Sequence, residues 1–315
     1  MIFLLQQTLF FAMPLLIVAL GGLFSEKSGV INIALEGIMI FGAFTGILFL
    51  FFMKDKIDGQ FALFITMGIA AGFGALLALM HAYASISMRA NQSISGMSLN
   101  ILAPAIAVFV AKEVTPSELI PFSQKFFIPA VEGLNRIPIL GPILFERVYL
   151  TTYIAIVIFI IALIVMKKTK FGLRVRASGE HPHALDAAGV KVKKIRYTSV
   201  LISGALAGLG GIIFFIPTSV EFQANVSGYG FLAIAVLVFS KWEIKNIIYT
   251  SFFFGFMQTI ASANNQIAFL RNFNFIPQEF YRMLPYVATI IILAFSKGRS
   301  SSPPALGVPY DMTTR

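Results

Sequence analysis

Asn32 and Glu36 stand one helical turn apart in SGVINIALEGIMIFGAF, residues 28–44, a stretch that is otherwise apolar. On a helix begun near Ser28, the amide and the carboxylate would share a face, with Glu36 roughly 12 Å along the axis. A carboxylate at that depth costs at least ~2.5 kcal/mol if it meets lipid, so it should face protein or a water-filled route. Two roles suit the pair: a hydrogen bond that ties helices together, or the lining of a path for a polar solute. Asn91, Gln92, Ser93, Ser95, Ser98 and Asn100 form a second polar set, and Gln258, Ser262, Asn264, Asn265 and Gln266 a third. Their uncharged donors and acceptors suit a neutral polar solute, and equally suit helix-to-helix hydrogen bonds.

Other chemistries find less support. The chain has no G-x-x-x-x-G-K-[ST] loop, so any ATP would act through a partner. With no cysteine, thiolate nucleophiles, disulfides and Cys-based metal sites are excluded. His181, His183 and Asp186 in HPHALD superficially resemble a metal cluster. Pro182, the cationic surroundings and the lack of a completing carboxylate group argue against one. His81 reads as a helix-end residue. Gly204, Gly208, Gly210 and Gly211 in SGALAGLGG follow no strand, and read as small residues that let helices pack closely in lipid.

The elements that must carry these residues are membrane spans. Apolar residues make up 57% of the chain and charged ones 12%, and the mean hydropathy is +0.84, which indicates a polytopic, all-α transmembrane bundle. Spans are expected at about 3–24, 29–52, 60–86, 92–111, 148–166, 197–216, 229–240, 246–264 and 282–296, about nine crossings in one domain covering 1–296. The first is expected to be retained, because no basic n-region precedes it. The run 229–240 is too short alone, so it either begins earlier or is broken by Gly228 and Gly230. The loop 167–196 holds Lys167, Lys168, Lys170, Arg174, Arg176, Lys191, Lys193, Lys194 and Arg196 against Glu180 and Asp186. It is expected to be cytoplasmic. The balanced loop 112–147 is then external, the N-terminus outside, and the tail 297–315 inside. The formal charge of +10 reflects this bias rather than nucleic-acid binding.

Within the basic loop, Pro182 followed by HALDAA predicts a short helix closed by Gly189. Phe171-Gly172-Leu173-Arg174, Ala177, Gly179-Glu180, Pro182, Ala184, Ala187-Ala188-Gly189 and Ser203-Gly204-Ala205-Leu206-Ala207-Gly208 closely resemble the coupling region of inner-membrane permeases of ATP-binding-cassette importers. The branch is that for simple sugars and nucleosides, with branched-chain amino acid permeases as relatives. SGVINIALEGIMIFGAF, SISGMSLNILA (93–103), SGYGFLAIAVLVFSKW (227–242) and LPYVAT (284–289) resemble the same family in order, most like the shorter permease of guanosine-type nucleoside importers served by basic-membrane-protein lipoproteins. The resemblance implies no catalytic site and no cofactor in this chain, with ATP and Mg on a cytoplasmic ABC ATPase. The other implied partners are a second homologous permease, an external solute-binding lipoprotein and membrane lipid. It makes Asn32, Glu36, Asn100 and Phe231 candidates for the solute path. Gly172, Gly179, Glu180, Ala184, Ala188 and Gly189 become candidates for ATPase coupling.

Overall fold

The computed structural model describes residues 2–122, 126–131, 133, 135, 137–138, 140–263, 278–295 and 302–311. In chain order the helices are α1 (Ile2–Lys27), α2 (Leu35–Met53), α3 (Gly59–Ala82, continued by a π-helical turn Tyr83–Ser87), α4 (Gln92–Val114), α5 (Leu140–Leu144) and α6 (Leu150–Lys168). They continue with α7 (Lys170–Glu180), α8 (Pro182–Ala187), α9 (Val192–Thr218), α10 (Tyr229–Phe239), α11 (Ile244–Ala263) and α12 (Gln278–Phe295). Among the described residues, α1, α2, α3 with its π turn, α4, α6 and α9 are long and apolar enough to cross a membrane, and α10 is a shorter apolar helix. The expected all-α membrane bundle is thus present. Two small antiparallel pairs decorate one end: β1 (Ile120–Pro121) pairs with β4 (Glu221–Phe222), and β2 (Phe127–Ala130) with β3 (Glu146–Tyr149). The sequence had offered no sign of these strands in what read as a plain loop.

The interior is built around α1 and α9, both largely buried. Small residues decide how closely α9 meets its neighbours. A Cβ on Gly204 would overlap Ala78 and Gly74 O of α3, one on Gly208 would overlap Ala70 O, and one on Gly211 would overlap Met39 O of α2. Gly42 of α2 faces the Gly208 backbone. Lipid supplies no hydrophobic drive between helices, so this backbone-to-backbone packing holds them together. The sequence-based reading of these glycines as packing residues therefore agrees with the structure.

Contacts sort the loops to two ends. Trp242 Nε1 donates to Glu26 Oε2 (2.6 Å), Ser178 Oγ to Ser28 O (2.9 Å) and Ala305 N to Gly179 O (2.9 Å), which gathers the basic loop, the α10–α11 turn and the tail at one end. Gln60 Nε2 donates to Phe126 O (3.0 Å), and Gln6 Nε2 to Glu146 O (3.0 Å), at the strand-bearing end.

One expectation is corrected here. The second span does not begin near Ser28: residues 28–34 are non-helical, α2 starts at Leu35, and Asn32 and Glu36 do not share a helix face. Gly29 at φ +96° breaks the chain, and side chains from other helices take over the backbone groups a helix would have paired.

Gly208→Leu is expected to abolish a monodisperse folded protein in detergent, because its Cβ would overlap the Ala70 backbone of α3 while the Gly208 backbone itself lies against Gly42 of α2. Gly72→Ala, with open space around the new methyl, should change stability by no more than roughly 1 kcal/mol. Size-exclusion profiles and thermal melts of the two variants check this.

Candidate functional site

The stretch Ser28–Ala34 is non-helical chain carried inside a helical bundle, which lipid tolerates only where protein satisfies the backbone. Ser25 Oγ donates to Val30 O (2.7 Å). Ile31 N donates to Gln92 Oε1 (2.7 Å), and Ile31 O lies 2.8 Å from His81 Nε2. Asn100 Nδ2 donates to Ile33 O (2.9 Å), and Asn32 Oδ1 accepts from Ala34 N (3.1 Å). Asn32 Nδ2 reaches Ser203 Oγ on α9 (2.8 Å). Asn100 Oδ1 also accepts from Gly37 N (2.8 Å), one of the unpaired donors in the first turn of α2. Asn100 lies about 12 Å along α4 from Gln92, so α2 begins well inside the bundle.

A second broken element meets the first at this point. Ser227 (φ +54°) and Gly228 (φ +78°) turn the chain into α10, whose eleven residues span about 16 Å, roughly half of a ~30 Å hydrocarbon layer. Glu36 Oε1 accepts from Gly228 N (2.9 Å) and Oε2 from Gly230 N (2.6 Å). Gly230 lies so close to the Glu36 backbone that a Cβ there would overlap Glu36 N and Cα. The carboxylate thus closes the donor end of α10, where the helix dipole favours negative charge. Two charge-assisted bonds of about 1.5–3 kcal/mol each offset its removal from water.

Of the four path candidates, Asn32 and Glu36 are buried, Asn100 is half-buried, and Phe231, 47% exposed, is open beside the junction. Three of them, Asn32, Glu36 and Asn100, are already bonded to the broken backbone. Gln92, His81, Ser203 and the Gly228 and Gly230 amides complete the cluster. Of these, Gly228 and Gly230 were readable as a possible break, and Gln92 only as one of a polar set. The third polar set is reached only in part, because Asn264, Asn265 and Gln266 lie outside the described residues.

The coupling candidates gather on α7 and α8. Thr169 caps α7 by accepting from Gly172 N (3.2 Å). Gly172 is buried so tightly that a Cβ would overlap Val165 O, and Gly179 likewise against Lys27 O. Pro182 opens α8. Val190 N then bonds Leu185 O, and Gly189 N, in a residue at φ +78°, bonds Asp186 O, a Schellman end. Glu180, Ala184, Ala188 and Gly189 are exposed. Glu180, Ala184 and Ala188 border a hollow of about 500 Å³ with Leu173, Arg174, Ala177 and Val190. Its lining is mostly apolar, with Arg174 and Glu180 as the charged members.

Broken helices joined inside the bundle are an arrangement that membrane transport proteins share. Residues 4–293 match the family described as branched-chain amino acid transport system / permease component, and the chain belongs to that family. It is similar to the guanosine ABC transporter permease protein NupQ of Bacillus subtilis (strain 168), 41% identical over 307 residues, covering 96% of this chain and 94% of that one. The nucleoside ABC transporter permease protein NupC of Lactococcus lactis subsp. cremoris is 36% identical over 96% of this chain and 94% of its own. The putative glucose ABC transporter permease protein TsgC13 of Haloferax volcanii is 28% identical over 95% and 93%. The chain is a multi-pass permease component, a transport subunit rather than an enzyme.

Glu36→Gln is expected to cost about 1–3 kcal/mol, because the new amide points N–H at N–H where an oxygen stood. Hydrogen exchange at residues 227–232 should accelerate, with α6 unchanged; equal protection in both proteins would refute the capping role.

Proposed function

We propose that this chain is the permease subunit of an ABC importer and forms half of the path by which nucleosides cross a bacterial inner membrane.

 Purine nucleosides are the first substrates to test. The likeness to NupQ along nearly the whole chain carries the reading: 41% identity over 96% of the residues, with NupC at 36% in support. In this reading a second, homologous permease supplies the other half of the path, a cytoplasmic ABC ATPase carries ATP and Mg, and an external lipoprotein delivers the solute. The excess of Lys and Arg over Glu180 and Asp186 in residues 167–196 supports a cytoplasmic position for α7, α8 and the tail, with the N-terminus outside.

The junction of α2 and α10 fits a neutral solute. Transport proteins commonly place solute sites where half-helices end at mid-depth. Here the donor end of α10 is already neutralised by Glu36, and that of α2 is met by the uncharged Asn100. An anion therefore finds no unpaid helix dipole, while Phe231 offers an exposed aromatic face beside the junction. ATPase closure would act on α8 and α7, and Ser178 passes the motion to Ser28, at the head of the linker to Glu36. Such a switch requires the ATPase to bind the two states of the permease with different affinity.

The test is uptake of radiolabelled guanosine, adenosine, uridine and ribose by proteoliposomes holding this chain with its co-encoded permease, ATPase and binding protein. ATP-dependent nucleoside uptake is expected. Ala184→Asp, an exposed change on α8, should reduce it at least about tenfold, the effect of ~1.4 kcal/mol of lost docking, in a complex that still assembles. Ribose uptake alone would move the substrate to sugars, and uptake without ATP or the ATPase would overturn the importer reading.

A further inference from the structure

Helix α8 is six residues long, too short to hold its shape without packing, and its one buried side chain is Leu185. Leu185 does not join the core of the bundle. It belongs to a separate apolar cluster whose other buried members are Val192, at the start of α9, and Tyr310, in the C-terminal tail. The tail thus completes the only apolar cluster that seats α8 among the described residues.

The same tail grips each element around α8. Ala305 N donates to Gly179 O on α7 (2.9 Å), and Gly307 N to Gly29 O in the α1–α2 linker (3.1 Å). Gly307, at φ +77°, lies where a Cβ would come within 2.8 Å of Ile31 Cδ1. Val308 O accepts from Arg196 Nη1 (3.0 Å), and Asp311 Oδ2 from Arg89 Nη1 (2.6 Å). The Tyr310 ring lies 5.2 Å from that of His183 on α8 and 6.0 Å from Arg196 Cζ. Arg196 is 2% exposed, and its Nε and Nη2 have no hydrogen-bond partner among the described residues. A buried guanidinium held in this way depends on what covers it, and its cover here is the carbonyl of Val308 and the ring of Tyr310.

We propose that residues 302–311 are a strap that binds α7 and α8 to the Gly29–Ile31 linker, making Tyr310 and Gly307 positioning residues for transport. Without the strap, α8 would still meet a partner but would yield to it, and its motion would not reach Glu36 in full. The coupling half of this inference rests on the proposed role of α7 and α8 in meeting an ATPase. The strap itself does not.

The experiment compares the complete transporter carrying wild-type chain, Tyr310→Ala, Tyr310→Phe and a chain ending at residue 301. Two quantities are read: amide exchange across residues 180–190, and ATP hydrolysed per nucleoside taken up. Tyr310→Ala and the truncation are expected to speed exchange at least about tenfold and to raise the ATP-to-nucleoside ratio about fivefold or more. Tyr310→Phe, which keeps the ring, should match wild type. Unchanged exchange after truncation would overturn the strap. Faster exchange with an unchanged ratio would overturn its role in coupling. A wild-type complex that takes up nucleosides without ATP would overturn the importer reading and the coupling half with it, leaving exchange to decide the strap alone.

Discussion

A polypeptide inside a bilayer must satisfy its own N–H and C=O groups, and two interrupted helices make that constraint acute in this protein. The linker Ser28–Ala34 and the αL turn before α10 both expose backbone away from water. Glu36, Asn100, Asn32, Gln92 and His81 bond to that backbone, and the bonds form one connected set because the two breaks touch at Gly230 and Glu36. The polar residues of the interior are therefore part of what makes the junction possible. The junction is a preassembled surface, not a loose collection of amides.

The close approach of α9 to α2 and α3 places the junction. Gly204, Gly208 and Gly211 let α9 lie against Gly74, Ala78 and Met39 with backbone near backbone. Ser203, beside Gly204 on α9, then comes within 2.8 Å of Asn32. Packing and polar bonding are in this way the same interface seen at two depths, and a bulky residue at Gly208 would displace both.

At the basic end, the small helices outside the bundle are fixed by close packing and by their own end signals. Gly172 and Gly179 fit α7 tightly against the ends of α6 and α1, while Pro182 and Gly189 define α8. Of the six residues singled out for coupling, Gly172 and Gly179 serve internal packing, and Glu180, Ala184, Ala188 and Gly189 stand on the outer surface. The tail closes over the inner side of the same helices.

Long apolar runs dictate spans by themselves, because hydrocarbon rewards any 20-residue apolar helix whatever its neighbours; hence most helices, the packing glycines and the Pro182-to-Gly189 helix were legible in the sequence. Glu36 was legible too, as a residue needing a partner. Its partner was not, because Gly228 and Gly230 lie almost two hundred residues away and donate through backbone N–H groups that no side-chain pattern reveals. The start of α2 at Leu35 was hidden for the same reason: residues 28–34 continue into the apolar run that follows, and bonds from α1, α3, α4 and α9 hold them as open chain. From the sequence, the tail 297–315 is expected only to lie inside. Its Tyr310 acquires a place only once α8 and α9 have folded against each other, since neither Leu185 nor Val192 forms a pocket alone. Chain composition determined that this protein lies in a membrane as a helical bundle; tertiary contact decided where its helices break and what holds the breaks, because those bonds join residues that sequence distance keeps apart.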